Sequence, residues 1–253
     1  LIIGEDIGEK MENSLVYYDV GAINSVSFPF DNKENWKYIK FFYGFDPNFK
    51  EEYKIDGKKK LYNYAISNVN CSDVMFYVSG NRENSSLFQV NRDIRHYLTL
   101  NGDKKNVWPK KEKKVTCKKL DDIILSEGEE IDILKIDAHG SEYNIILGCK
   151  INLKNVILVH VEMWLEGIYK GGSNANILFE YLCGKSFLPV LIIKSGKLWV
   201  DVVWLNLETD KIEKKLLLKK IYKYSDGQKS MKNNHMKLRK IIKKLGNDNN
   251  ENN

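Results

Sequence analysis

Proline and cysteine are scarce in this 253-residue chain, with four of each, and glycine is held to 17. So little of either turn residue, with no internal repeat, excludes a collagen-like or low-complexity chain. Cys71, Cys117, Cys149 and Cys183 are separated by 46, 32 and 34 residues. No C-x-x-C and no Cys/His cluster exists, which excludes a disulfide scaffold, a zinc ribbon and a thioredoxin-type centre. The cysteines read as buried, reduced thiols and point to a reducing compartment. Long apolar runs are missing too: Leu188–Ile193 is strand length, far short of the ~18 apolar residues of a membrane span. Asn70-Cys-Ser72 and Asn84-Ser-Ser86 match the glycosylation sequon but carry no weight without a secretory signal. What is plentiful is apolar and charged surface, 43% hydrophobic, 11% aromatic and 29% charged. That is enough to bury a core without a staple. The chain starts at Leu1 rather than methionine, so residues 1–14 read as an N-terminal extension, truncated upstream. The localisation expected by default is cytoplasmic.

Charge divides the chain. The formal net charge is +6, yet residues 211–245 hold thirteen Lys and Arg against Glu213 and Asp226, residues 246–253 carry −2, and residues 1–210 carry −3. A near-neutral body with a basic appendix argues for a globular domain over residues 15–210 and a Lys-rich tail over 211–253. Leu238, Ile241, Ile242 and Leu245 fall at i, i+3, i+4 and i+7, the pattern of a basic amphipathic helix. Such a helix either folds against the domain or meets an anionic membrane surface or nucleic acid through residues 211–245. The last residues, from Gly246, have no apolar group to bury and are expected to be disordered.

The body reads as one αβ alternation. Leu15–Val20, Phe41–Phe45, Lys60–Ile66, Ile131–Ile136 and Val156–Val161 are strand-length apolar runs, and Ser141–Lys150 is helical. Runs of this kind belong in a parallel sheet covered on both faces. Leu188–Lys194 and Leu198–Leu205, joined at Ser195-Gly196, read as a closing antiparallel hairpin. Between residues 67 and 115 the pattern loosens. Asp73–Val78 could add a strand, whereas Gly80–Ser86 and Asn101–Lys105 are loop chemistry. An excursion this long reads as an insertion or lid over a site.

Three segments carry chemistry. In Tyr18-Asp-Val-Gly-Ala22 an acidic residue ends a strand and Gly21 permits a tight turn and close approach of a ligand to the backbone. A single glycine is not the G-x-G-x-x-G fingerprint, and no P-loop is present, so NAD, FAD and P-loop chemistry are disfavoured. Gly44-Phe-Asp46-Pro47 puts a carboxylate at the end of the second strand, where it can accept ribose hydroxyls or, alternatively, cap a following helix. Leu134-Lys-Ile-Asp137-Ala-His139-Gly140-Ser-Glu142 presents three ionisable groups at the carboxyl edge of a central strand, the edge where open αβ sheets bind ligands.

These segments, with Ala65–Asn68, Leu120-Asp-Asp122 and Val161-Glu162, resemble the ordered motifs of the FkbM family of S-adenosylmethionine-dependent methyltransferases over residues 15–205. The resemblance implies a class I methyltransferase fold: Rossmann-like α/β, a seven-stranded mostly parallel sheet ending in the antiparallel hairpin, with helices on both faces. It also implies S-adenosylmethionine as cofactor. Asp19, Gly21 and Ala22 would line its methionine end, with Ser25 where it passes close to the backbone. Asp46, with Pro47, would hold the ribose, Ile66 and Ser67 the adenine side, and Asp137 would close the pocket beneath the sulfonium. The family's first motif usually has Asn and a second glycine where this chain has Ile23 and Ser25, and Ser25 adds a side chain at that approach.

Methyl transfer to an alcohol needs alignment, exclusion of water and removal of a proton. His139 is the first candidate base, with Glu142 or Glu162 as alternative base or orienter. Glu162 is favoured over His160, which sits further from the strand end. Trp164, Tyr169 and Gly171-Gly172 follow that strand and read as an acceptor wall or as packing. No metal is expected, because Asp137 alone is not a converging ligand set. The leading reading is O-methylation of a hydroxyl on a small molecule or glycan. The rivals are an inactive scaffold working through the basic tail and an RNA methyltransferase whose tail grips phosphates.

Overall fold

A computed structural model describes residues 11–23, 29–30, 32–50, 53–91, 108–164, 167–195, 198–224 and 228–247. The Ser25 expectation, Gly196, Asn101–Lys105 and the last six residues lie outside them.

In chain order the elements are β1 (Leu15–Val20), α1 (Lys33–Trp36), β2 (Ile39–Phe45), β3 (Tyr53–Asp56), β4 (Lys59–Tyr62), β5 (Ala65–Ile66), β6 (Cys71–Ser79) and β7 (Pro109–Lys118). They continue with α2 (Leu120–Glu127), β8 (Ile133–Ile136), α3 (Glu142–Gly148), β9 (Leu158–Trp164), α4 (Ala175–Gly184), β10 (Phe187–Ser195), β11 (Trp199–Asn206), α5 (Ile212–Tyr222) and α6 (Gln228–Asn247). The main sheet has the order β10-β11-β9-β8-β1-β2-β4-β3. Seven of these strands form the Rossmann-like sheet that the sequence implies, with β11 antiparallel to β9 and β10. The eighth, β3, adds an antiparallel edge beside β4.

β1 is central because its residues can be buried on both faces, and all six are. Alternation of side chains across a strand sends Val16, Tyr18 and Val20 into one core with Leu134, Ile136, Val159 and Val161. Leu15 and Tyr17 go to the other with Ile133, Leu158 and Val203. Tyr18 stacks on Tyr43 at 4.5 Å and Phe45 on Tyr62 at 5.4 Å, an aromatic tier across β1, β2 and β4.

The run Lys60–Ile66 divides where one strand was expected. β4 pairs with β2, the chain turns at Asn63 and Tyr64, and β5 joins a separate three-stranded sheet, β5-β7-β6. The bend is fixed by Asn63 Nδ2, which donates to the Phe49 carbonyl. Apolar content continues through the bend as Tyr62 and Tyr64, so periodicity does not reveal it. The small sheet takes in the two ends of the 67–115 insertion and stands against the carboxyl edge of the main sheet.

The basic segment is built into the domain. Leu217, Leu218, Ile221 and Tyr222 of α5 are buried in the second core with Tyr17, Phe30 and Phe42. The fully buried Asp132 accepts from Val16 N at 3.0 Å, Lys211 Nζ at 3.0 Å and Lys214 Nζ at 2.6 Å. α6 lies on β10, with Leu238 and Ile242 buried, Ile241 partly so, and Asn234 Nδ2 donating to the Val190 carbonyl. The apolar face predicted for this helix therefore covers the protein's own sheet. Among the described residues no helix is long and apolar enough to cross a membrane.

Asp132→Ala strips three donors of their acceptor and leaves the Val16 N–H unpaired in the core. Urea unfolding is expected to show a loss of about 3 kcal/mol; a loss within the noise would mean that α5 is held by its apolar contacts alone.

Candidate active site at the carboxyl edge of the sheet

A narrow cavity opens at the carboxyl ends of β1, β2, β5 and β8. Val20 and Gly21 contribute one wall, Phe45, Asp46 and Pro47 a second, Ala65 and Ile66 a third, and Asp137, Ala138 and Ser141 the floor. Phe76, Glu83, Ser85 and Leu87 close it from the insertion.

The turn after β1 is threaded tightly against the turn after β8. Asp137 N donates to the Val20 carbonyl and Gly21 N to the Phe45 carbonyl, each at 2.9 Å. Gly21 has φ +91°, and a Cβ there would lie 1.9 Å from the Asp137 carbonyl oxygen. Only glycine fits, because the Asp137 carbonyl takes the place that a side chain would fill. Asp46 is buried, and Asn48 N donates to its Oδ1 at 2.6 Å. No helix follows it; the carboxylate caps a turn and also faces the cavity. Burial pushes its pKa up to about 6, against the pull of that N–H and of Lys113. Lys113 Nζ donates to the Pro47 carbonyl and so ties the insertion to the β2 turn.

Gly21, Asp46, Pro47, Ile66 and Asp137 thus meet at one cavity. Asp19, Ala22 and Ser67 do not line it. Asp19 shares the parity of Leu15 and Tyr17, so its side chain points to the opposite face, fully buried, 3.4 Å from Lys135 Nζ. Burial pushes the Asp19 carboxyl up, opposed by Lys135. Ala22 is packed in the second core. The Ser67 carbonyl lies against α3, where a Cβ on Gly148 would come within 2.1 Å. Ile23 is half-buried and does not line the cavity.

Next to the cavity floor lie the candidate proton-transfer groups. His139 is buried at φ +51°, its Nδ1 3.0 Å from Tyr169 Oη, its Nε2 3.7 Å from Asp137 Oδ1 and its Nδ1 3.9 Å from Glu162 Oε2. Its ring centroid is 5.2 Å from that of Trp164, and Ser86 Oγ donates to its carbonyl at 2.5 Å. Burial lowers the imidazole pKa despite Asp137, so the ring is neutral at neutral pH. Burial, with Asp137 beside it, holds the Glu162 carboxyl well above the usual range. In Asp137 burial works against the charge, but Lys135 at 3.6 Å and His139 outweigh it and hold the carboxyl low.

Glu142 stands apart from this group. Both its oxygens accept from Gly140 N at 3.0 Å, Oε1 from Ala138 N at 3.3 Å and Oε2 from Ser173 Oγ at 3.0 Å. It therefore fastens the Asp137–Gly140 turn. His160 is likewise engaged, 2.8 Å from Asp201 Oδ1 and edge-on to Tyr222. Tyr169 is packing and partner at once: it holds His139 and crowds Gly140, where a Cβ would meet it at 2.8 Å. Sequence reading missed Phe76, Glu83, Ser85 and Leu87, because only the pairing of β6 with β7 brings the insertion over the cavity.

Burial pushes the Glu142 pKa up to about 7 against the hydrogen bonds it accepts. Its folded value thus lies above its unfolded value, so its contribution to stability is present below about pH 4.5 and is lost as pH rises through 7. Thermal unfolding from pH 4.5 to 8 is expected to show a fall of roughly 3 kcal/mol from this group, absent in Glu142→Gln; identical pH profiles for both chains would contradict the assignment.

Among known families, the one described as Methyltransferase FkbM domain matches residues 13–188. No curated protein and no solved structure matches the chain.

Proposed function

Because the chain belongs to the methyltransferase FkbM domain family, we propose that it moves a methyl group from S-adenosylmethionine to a hydroxyl of a small molecule or glycan. The observation that carries this reading is the cavity at the carboxyl edge, lined by the Gly21 turn, the Asp46 carboxylate and a partly apolar interior. The residues fit the cofactor. Val20 and Gly21 line one side, Asp46 offers a carboxylate to ribose hydroxyls, and Ile66, Phe76 and Leu87 offer an apolar wall for a base.

S-adenosylmethionine, when bound, supplies a methyl group activated on a positively charged sulfur. The protein's part is to bind, align and exclude water. The carboxylates of Asp137 and Glu83 line the cavity and favour a cationic occupant. The wall from the insertion excludes water from the reacting line. His139, neutral and held through Nδ1 by Tyr169, is the group placed to take the acceptor's proton, with Glu162 beside it. Trp164 and Tyr169, 5.4 Å apart and edge-on, flank that imidazole on the side away from β1. Glu142 serves the turn and not the proton.

The test is calorimetric titration with S-adenosylmethionine at pH 7.5 and pH 5. Asp46 titrates at about 6, so below that pH the carboxylate gains a proton and loses its acceptor capacity. Wild-type affinity is expected to fall roughly tenfold toward pH 5, while Asp46→Asn binds weakly and equally at both. Gly21→Ala is expected to abolish binding. Full affinity in both variants at both pH values would overturn the assignment of the cavity.

A further inference from the structure

Asp137 and His139, from the turn after β8, and Glu162, from β9, each offer one ligand atom, and these atoms all lie within 4.8 Å of one another. A point between three atoms so spaced lies about 2–3 Å from each, and small side-chain rotations bring that to the 2.0–2.2 Å of nitrogen and oxygen ligands on a first-row ion. A second observation points the same way. Glu162 Oε2 is sealed from solvent and accepts no hydrogen bond among the described residues, although it faces His139 at 3.9 Å. A buried carboxylate oxygen with no donor is costly unless something cationic meets it.

The charge count is the third. Asp19, Asp137 and Glu162 crowd one end of the sheet, and Lys135 is the cation paired with Asp19 and Asp137. Glu162 has no such ammonium partner among the described residues. Lys135 takes Oδ2 of Asp137 and leaves Oδ1 facing His139. Tyr169 holds Nδ1 of the imidazole, which leaves Nε2, 3.7 Å from Asp137 Oδ1, as the nitrogen open to a cation, and metal-bound histidines have a supporting partner of this kind on the other nitrogen.

We propose that Asp137, His139 and Glu162 hold a first-row divalent cation at the edge of the cavity. One imidazole with two carboxylates suits Mn²⁺, Fe²⁺ or Zn²⁺ better than an all-oxygen cation site would. Three protein ligands leave coordination positions open, and because Asp137 also lines the cavity an acceptor oxygen reaches them. The site stands on geometry alone; its part in methyl transfer rests on the function proposed above. In that role the cation raises the acidity of the acceptor hydroxyl, whose proton then departs to water, and His139 acts as a ligand instead of taking the proton itself.

The experiment is titration of the full chain with Mn²⁺ alone, following the resonance of free Mn²⁺, with Zn²⁺ as competitor and no cofactor present. One equivalent is expected to bind, at least tenfold more weakly in His139→Ala and in the near-isosteric Glu162→Gln. The control Glu129→Gln, which loses only the surface pair with Lys40, is expected to bind as the wild type does. Thermal unfolding verifies that each variant is folded. Absence of Mn²⁺ and Zn²⁺ binding up to millimolar concentration, or undiminished binding by folded Glu162→Gln, would overturn the proposal. S-adenosylmethionine titration of the same samples separates the two readings. A chain that binds the nucleoside and no cation loses the metal site alone, and a chain that binds the cation and no nucleoside loses the methyl donor alone.

Discussion

Lys135 is the buried cation around which the carboxyl edge of the sheet is assembled. Its position on β8 pairs in register with Asp19 on β1 and with His160 on β9, so one ammonium group reaches Asp19 at 3.4 Å and Asp137 at 3.6 Å. Burial opposes its charge, but the two carboxylates prevail and keep it protonated. Remove that charge and two buried carboxyls lose their partner, the kind of break that costs far more than the pair contributes. The turn after β8 would lose the anchor that sets Asp137 between the cavity and His139. Gly21, which tolerates no side chain against the Asp137 carbonyl, ties the β1 turn to the same point.

Much of this architecture is legible in the sequence, for a physical reason. β1, β2, β8, β9 and the hairpin are apolar runs bounded by polar or glycine residues, and strands buried on both faces must be such runs. Gly21, Asp46 and Asp137 are legible because each ends a strand, and ends of parallel strands converge on one edge. Asp19 was assigned to the same edge, but alternation turns it to the other face. The signal was there: Asp19 falls in step with Leu15 and Tyr17, and Lys135 offers it a partner. Glu162 was set beside His139 from its place at the end of β9, but that Asp137 stands with both as a set of converging ligand atoms was not legible, since it depends on the register of β8 against β9. The cavity wall from Phe76 to Leu87 was hidden for the same reason, since its placement follows from β6 pairing with β7 across a long connection.

The basic segment shows how composition misleads about exposure. Its lysines suggest a free appendix, yet Lys211 and Lys214 neutralise the buried Asp132, and the apolar stripe of α6 rests on β10 with Leu238 and Ile242 inside. What α6 leaves outward is its lysine-bearing face. The scaffold reading, which works through the basic tail, is left with that lysine-bearing face, since the apolar stripe is occupied by β10.

Amide hydrogen exchange with and without S-adenosylhomocysteine tests the central claim, that the carboxyl edge of the sheet is where the nucleoside binds. The account predicts slowed exchange in the turns after β1, β2 and β8, at residues 21–22, 46–49 and 137–141, and in the wall at residues 83–88, with α6 unchanged. Protection confined to α5 and α6, or none from a folded chain at saturating ligand, would contradict it.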